Sequence, residues 1–579
     1  MMYDTRNQCL NTKYSVSHHH YQNIIIMFKL SSELKNLSKI TLIGYSLIFL
    51  AIAVGFITRI IAVFQYVSFD IGPAPDQIKD AFTVINMWKG ELPTLGPQAA
   101  VGGHHILPLY YYLFFPFTLL GASPVFQAFP NALFSFLSIP LLIYLVYQLL
   151  ENVEPQTRIM LSGLAGFWYS VLYGEIFISN FQWNPSSVPF FLIAFTLLYY
   201  FQMEGKFSLP IQAICWAVYG VVLAILMSLH SSTLFVMPVV FIINCAIFIY
   251  KAVKRKSYSL ITLPIISILA SAIVLLPYWI GEFGRGFKNT KYILKTIFKA
   301  KSASDNSLLM SLGKRLSNLF LNYYKLFQEA YLWHPSWIYF LITLIFISLV
   351  TYLGIIKFKG NQYIWGSLCA TWGIYLYAAS NLDSEITYFH YKLLIVFAPI
   401  VLTITSLAYN KFSQSKKRIL YIFSGIIITI SCFSNLFYES QFLLSKYGSN
   451  RVMNTADMTE IISKLPSDAV LCDPRIRKRR KIHNQYNYID SNITRQGIKL
   501  VNVCEAGNYV IHPKRLLLLE SGYINDTSYE KPYYVKFTQS DLQNLWPIFK
   551  IADNTKITRP AKVFLETDTA TVYILDQQG

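Results

Sequence analysis

Stretches of about twenty mostly apolar residues recur along this chain, near 40–67, 125–148, 157–176, 185–203, 210–229, 232–250, 258–280, 336–356, 363–380, 391–409 and 419–438. Each is long enough to cross a bilayer as a helix, at ~1.5 Å per residue against a hydrocarbon core of ~30 Å. A backbone in lipid must satisfy its own hydrogen bonds, so runs of this kind specify spanning helices and little else. Composition agrees: 54% of residues are hydrophobic, 16% aromatic and only 14% charged, too apolar for a soluble globule. The formal net charge of +19 would suggest nucleic acid in a soluble protein. Here much of it sits in short connections between apolar runs, where cationic residues set orientation, and no nucleic-acid partner is expected.

The count of apolar runs is odd, which puts the two ends of the membrane part on opposite sides. If the Lys-bearing start (Lys29, Lys35, Lys39) is cytoplasmic, so are "KAVKRK" (251–256), "KFKG" (357–360) and "KFSQSKKR" (411–418), and three separated connections then obey the charge bias. Connections 68–124, 177–184, 281–335 and 381–390 face outward, with everything after about 439. Long loops escape the charge rule, so the Lys-rich stretch 285–325 does not conflict. The expected organisation is a tail over 1–39, a membrane domain over 40–438 with long outer loops at 68–124 and 281–335, and an extracytoplasmic domain over 439–579. No cleaved signal peptide is expected; the first span serves as its own insertion signal. Met27 begins "MFKLSSELKNLSK" and is a second candidate start, and the run His18-His19-His20 before it is assigned no role.

The composition changes after about Glu439. Short β-rich runs ("DAVLCD", "KPYYVKF", "KVFLET", "TVYIL") and a helical "MTEIISKL" predict an α+β domain. Cys472 and Cys504 fall in it. An oxidising compartment permits them to pair, and two free thiols remain the equal alternative, since separation in sequence does not establish geometry. The run "RIRKRRK" (475–481) reads either as a solvated face or as a surface for anionic lipid or a polyanionic acceptor.

Just after the first span comes "GPAPDQIKDAF" (72–82). On a helix, Asp76, Asp80, Thr83 and Met87 share one face, and Ile78, Phe82 and Ile85 share the other, with Pro75 suited to the first turn. This predicts an amphipathic helix along the outer interface, its apolar side in lipid or against the bundle and its carboxylates toward a cavity. Like charges four apart repel, so the pair costs stability in the absence of a cation or a job. Further along, "GGHHILPLYYYLFFPFTLLG" (102–121) combines flexible glycines, His104 and His105 as cationic groups or hydrogen-bond donors, and an aromatic segment broken by Pro116, a second interfacial element.

An acid shortly after the first span, a helix ending in a "WKGE" turn, and a Pro-containing aromatic segment closed by "LLG" together resemble the C-superfamily membrane glycosyltransferases. The resemblance is to the glycosyltransferase family 39 and dolichyl-phosphate-mannose-protein mannosyltransferase group, which includes the aminoarabinose transferases. It covers roughly residues 40–410. "YGEIFISNFQWNPSS" (173–187) matches an outer turn with a second acid, giving Glu175 and Asn184; "SLHSSTLFVMP" (228–238) puts His230 at an outer membrane boundary; and "ITYFHYKLLIVFAPI" (386–400) is similar to a late His-Tyr motif, here His390, Tyr391 and Lys392. The chain departs from many relatives by reading Asp76-Gln77 for acid-Glu and "HHILP" for Lys-Pro-Pro. It has no Asp-x-Asp pair in the first loop, so no cofactor is predicted and a divalent metal is not supported.

The resemblance implies transfer of a sugar from a polyprenyl-phosphate carrier to an extracytoplasmic acceptor, a protein, lipid or cell-surface glycan, with membrane lipids around it. Asp76 would be the general base. His104, His105 and Lys392 would meet the departing phosphate, Asp80 and Glu175 would position hydroxyls, and Asn184, His230, His390 and Tyr391 would complete the substrate site. Two other classes stay open. A lipid-linked sugar transporter should carry ionisable residues near mid-helix, often with internal repeats. A polysaccharide polymerase or ligase would use 281–335 as its large outer loop.

Overall fold

The structure is a computed structural model. It describes residues 38–66, 74–99, 103–298 apart from 181 and 206, 397–408, 414–444, 455–472, 561–567 and 570–575, with short runs and single positions within 313–368 and 497–513.

The membrane part is a helical bundle. Helix α1 (Lys39–Gly55) runs through a π-helical turn (Phe56–Ile61) into the short α2 (Ala62–Tyr66). Then come α3 (Ala74–Asn86), α4 (Leu109–Phe114), α5 (Pro124–Leu149), α6 (Pro155–Ser170), α7 (Tyr173–Ser179), α8 (Val188–Glu204), α9 (Leu209–Leu229), α10 (Ser231–Lys254), α11 (Leu263–Val274), α12 (Leu276–Gly284) and α13 (Lys288–Phe298). After a gap follow α14 (Phe397–Leu407) and α15 (Gln414–Leu444). Six helices among the described residues are long and apolar enough to cross a membrane, or up to eight if the bent pairs α6–α7 (58°) and the stretch Tyr258–Val274 with α12 (61°) each count as one span. The windows expected at 336–356 and 363–380 lie almost wholly outside the described residues.

Large apolar side chains face outward along these helices, Phe49, Ile214, Ile242, Ile273 and Phe433 among them. In water such patches would be a liability; around a membrane span they are the lipid face. Apolar burial against lipid drives helices together weakly, so close backbone approach has to hold them. A Cβ on Gly44 of α1 would lie 2.8 Å from the Met160 backbone nitrogen of α6, and one on Gly163 would lie 2.7 Å from the Gly44 carbonyl oxygen. Any larger residue at either position would force α1 and α6 apart.

Beyond the bundle, α16 (Thr455–Lys464) packs on a sheet of five strands, β1 (Val470–Cys472), β2 (Lys499–Val501), β3 (Tyr509–Pro513), β4 (Ala561–Glu566) and β5 (Ala570–Leu575), in the order β2-β1-β3-β5-β4. The β1 strand pairs in parallel with β2 and β3, and β5 runs antiparallel to β3 and β4. Three of the runs read as strands or helix in the sequence, "DAVLCD", "KVFLET" and "TVYIL", hold β1, β4 and β5, and "MTEIISKL" ends α16; "KPYYVKF" lies outside the described residues, as does "RIRKRRK". Cys472 is buried and disulfide-bonded; Cys504 is outside the described residues.

The acid-bearing helix α3 is amphipathic as expected, but its apolar face meets neither lipid nor the bundle. Ile78 and Ala81, flanked by Phe82 and Ile85, pack against Met458, Ile461, Ile462 and Leu465 of the α16 region and Leu471, Tyr509 and Val572 of the sheet. On the other side of α3, Val84 and Met87 enter the main bundle core with Tyr110, Tyr111 and Phe114 of α4. Helix α3 is thus held between the membrane bundle and the C-terminal domain. Periodicity shows which face of a helix is apolar, and is silent on what covers it.

Candidate active site

The face of α3 toward the bundle carries Gln77 and Asp80, one turn apart and both buried. The Asp80 carboxylate accepts a hydrogen bond of 2.8 Å from the Tyr111 hydroxyl. Tyr110, its ring 5.3 Å from that of Tyr111, is fully buried, and burial together with the nearby Asp80 charge pushes its hydroxyl well above the ordinary tyrosine range. Lys79 is exposed on the flank, so the cation nearest in sequence does not enter this interior. Of Asp76, on the first turns of α3, the backbone alone is described.

The loop from α3 to α4 folds back on itself as a ribbon. Gly96 N–H donates to the Ile106 carbonyl (2.9 Å), Ile106 N–H to Pro97 (3.0 Å) and Ala99 N–H to His104 (2.8 Å), with Gln98 and His105 bridged antiparallel. A Cβ on Gly96 would sit 2.2 Å from the Leu107 carbonyl oxygen, so the ribbon closes only on glycine. The two histidines then diverge. His105 Nδ1 donates to the Gly96 carbonyl at 2.9 Å, which leaves Nε2 an acceptor in the neutral ring and a donor only in the protonated one. Its backbone is clasped by a side chain from the first turn of α13: Asn289 Oδ1 accepts from His105 N–H (2.7 Å) and Asn289 Nδ2 donates to the His105 carbonyl (3.0 Å). His104 turns inward, 1% exposed, edge-on to Phe235 of α10, and neither ring nitrogen has a hydrogen-bond partner among the described residues.

His230 joins α9 to α10 and caps the latter. Its Nδ1 accepts from Ser232 N–H (3.1 Å) and from the Ser232 hydroxyl (2.8 Å), which places its proton on Nε2. Burial first, and the neighbouring His104 second, push its pKa down to about 3. The pKa of His104 is lowered by the same burial and by His105. Both rings are therefore neutral at physiological pH, hydrogen-bonding groups rather than the cations the sequence allowed. Asn184 closes this corner by donating to the Leu229 carbonyl at the end of α9. The turn that bears Asn184 is fixed from α5, where Asn131 Nδ2 donates to the Trp183 carbonyl (2.9 Å) and Asn131 Oδ1 accepts from Ser187 (2.7 Å).

Glu175, buried on the first turn of α7, accepts from the Tyr169 hydroxyl at 3.3 Å. Beside Tyr169 lies a residue the sequence reading passed over: Arg59, fully buried at the π-helical turn of the first span. It donates to Ser135 Oγ (2.8 Å), Thr58 Oγ1 (3.0 Å) and the Ser170 carbonyl (3.0 Å), with its guanidinium 6.0 Å from the Tyr169 ring centre. A lone arginine in an apolar run was the available signal, since such a residue is kept in a span only with partners. Gln77 and Gln182 were missed as well. Each has both amide atoms buried and without a hydrogen-bond partner among the described residues, as has the Tyr110 hydroxyl. An unmade buried bond costs about 1–3 kcal/mol per group.

The structure thus brings together Asp80, Tyr110 and Tyr111 at one side, His104, Asn184 and His230 at the other, with segments 104–111 and 182–184 belonging to both. His105 sits on the ribbon between them. His390, Tyr391 and Lys392 lie outside the described residues.

No protein-family model matches the sequence, and no curated protein does. Among solved structures, the chain is similar to ArnT from Cupriavidus metallidurans in the apo state, at 9% identity over 91% of this chain and 97% of that one, with a TM-score of 0.49. The same protein bound to undecaprenyl phosphate gives 10% identity and the same coverage and TM-score. The Archaeoglobus fulgidus oligosaccharyltransferase in its apo form is similar at 11% identity over 82% of this chain and 70% of that one, with a TM-score of 0.45.

Proposed function

We propose that this protein is an integral-membrane glycosyltransferase that moves a sugar from a polyprenyl-phosphate carrier to an acceptor on the outer side of the membrane. The observation that carries the reading is the grouping of side chains from separated stretches, Asp80 on α3, His104 on the ribbon, Asn184 in the turn after α7 and His230 at the cap of α10, all buried or at a helix junction. Four of the positions singled out by resemblance in sequence share these two adjoining corners.

In this reading the Asp76 carboxylate takes the proton of the acceptor hydroxyl as its oxygen attacks the anomeric carbon. The bond from that carbon to the phosphate oxygen breaks with inversion, and polyprenyl phosphate departs with the electron pair. The group that leaves needs hydrogen-bond donors and, as charge accumulates, cations. Neutral His230, with its proton on Nε2, and the unpartnered His104 are placed to donate, and an arriving phosphate anion raises the pKa of both rings. Asp80, fixed by Tyr111, orients a sugar or acceptor hydroxyl.

The transporter alternative gains one observation, the buried Arg59 within a span. It stands five residues before the end of the apolar helix Lys39–Phe64, about 7.5 Å from it, so it belongs to an end of the bundle rather than to its midplane. The test is mass spectrometry of lipid carriers and surface glycans in a deletion strain. Accumulation of one lipid-linked sugar with loss of that sugar from a surface glycan is expected; loss of the carrier from the outer leaflet alone would make the protein a transporter, and unchanged pools of both would overturn the reading.

A further inference from the structure

Three buried residues surround Asp80 with polar atoms that find no partner among the described residues. Gln77 is fully buried one turn before Asp80 on the same face of α3. Tyr110 is fully buried beside the Tyr111 that bonds Asp80. Gln182, 2% exposed, has its amide beside the Tyr110 hydroxyl. Five atoms, Gln77 Nε2 and Oε1, Gln182 Nε2 and Oε1 and Tyr110 Oη, have no partner among the described residues. A native interior tolerates few such atoms, and a cluster of them on three different segments points to something else that supplies the bonds.

The chemistry of the set narrows what that is. A carboxamide offers two donors and an acceptor, and a phenol one donor and an acceptor, while a sugar hydroxyl likewise does both. The Tyr110 and Tyr111 rings, tilted 50° to one another, add apolar faces for the C–H surface of a pyranose. Burial keeps the Tyr110 hydroxyl protonated and able to donate. Gln77 and Gln182 bring no charge, so they discriminate by hydroxyl geometry. A site built from buried hydrogen-bonding groups also rejects analogues that lack the matching hydroxyl far better than an apolar pocket rejects a larger one.

Resting on the glycosyltransferase reading above, we propose that Gln77, Tyr110 and Gln182, grouped about Asp80, form the subsite for the donor's sugar ring and select a hydroxyl-rich ring by amide and phenol contacts. The carrier phosphate belongs to the neighbouring histidine corner, so the two halves of one donor are read by different residues.

Binding of two classes of probe to the full-length protein in nanodiscs tests this. One is undecaprenyl phosphate alone; the other is a panel of undecaprenyl-phosphate-linked glucose, mannose, galactose and N-acetylglucosamine, from which the tightest is taken forward. Wild-type protein should hold the best sugar-bearing donor more tightly than the bare carrier. Gln77→Met, Gln182→Met and Tyr110→Phe should each lose about 10-fold in affinity for that donor, one hydrogen bond's worth, and keep their affinity for undecaprenyl phosphate within about 2-fold. Thermal midpoints measured alongside show that the variants fold. Wild-type protein that binds bare carrier and no sugar-bearing probe more tightly overturns the subsite. Variants that bind both probes like wild type and melt higher also overturn it, and make these atoms a hydrated interior only. Wild-type protein that binds neither probe removes the parent reading and this one with it.

Discussion

Two buried carboxylates, Asp80 and Glu175, sit in opposite surroundings. Around Glu175 the polar groups answer one another: Tyr169 bonds the carboxylate, and Arg59 reaches Ser135, Thr58 and the Ser170 carbonyl. Around Asp80, which Tyr111 bonds, the side-chain amide atoms of Gln77 and Gln182 and the Tyr110 hydroxyl have no partner among the described residues. Saturated polar networks rigidify a fold, and unsaturated ones are costly unless a ligand completes them. Under the proposed function, the comparison separates two meanings of a buried acid, one for holding the bundle and one for meeting a substrate.

The sharpest way to break that division is Arg59→Leu. It leaves the Ser170 carbonyl and the Glu175 region without their cation, and removing one member of a buried charged network costs about 3–5 kcal/mol. The expected outcome is a large fall in the yield of folded protein and in its thermal midpoint in detergent. Near-normal stability would mean that Arg59 serves a substrate, and the division would fail.

Second in size is the test of Asp76 as the proposed base. Asp76→Asn keeps shape but cannot take a proton, and transfer should fall on the order of 100-fold or more while the protein stays folded and still binds carrier. Asp80→Asn should lose less, since Tyr111 can still donate to the amide oxygen. The reverse ranking in a turnover assay would assign the base to Asp80.

How far this site could be read from the sequence follows from the kind of signal each residue leaves. The spans that fall among the described residues and the amphipathic α3 were legible because apolar runs and helical periodicity are local signals. The cover on α3 was not: Ile78 meets Ile461 and Val572, hundreds of positions away, and periodicity names no partner. Gln77 and Gln182 look like ordinary polar residues until burial strips them of water. His104 and His230 were legible as residues but not as species, because burial, which only the fold supplies, makes them neutral.

That neutrality gives the third prediction, on acid stability. His230 titrates near 6.5 in an unfolded chain and at about 3 in the folded protein. The unfolded state therefore binds the proton first. Stability is fully present above about pH 6.5 and is lost as pH falls toward 3, by on the order of 2 kcal/mol at pH 5, with His104 adding in the same direction. His230→Asn keeps a good cap for α10 and removes the titrating group. Its thermal midpoint should therefore decline less between pH 7 and pH 5 than that of the wild type; parallel declines would mean that the imidazole is not desolvated.

The smallest effect tests whether the saturated scaffold supports the unsaturated site. Asn289 lies in the sequence 184 positions from His105 and bonds both its N–H and its carbonyl, as a neighbouring strand would. Its loop is anchored in turn, since Glu282 Oε2 accepts from the Thr290 N–H and hydroxyl (both 2.7 Å), and Arg285 donates to both Glu282 and Thr94. Removing the clasp should loosen the ribbon rather than unfold it, because the Gly96 and Ala99 bonds remain. His104, next along the chain, would then lose its fixed approach to His230, and Asn289→Ala should weaken binding of undecaprenyl phosphate by about 10-fold with little change in thermal midpoint, the equivalent of about 1.4 kcal/mol. A double-mutant cycle decides how the effect travels. If Asn289 acts through His104, the pair Asn289→Ala with His104→Ala should bind carrier no more weakly than His104→Ala alone. Additive losses would mean that Asn289 supports some other contact, and that the clasp and the histidine corner are independent of one another.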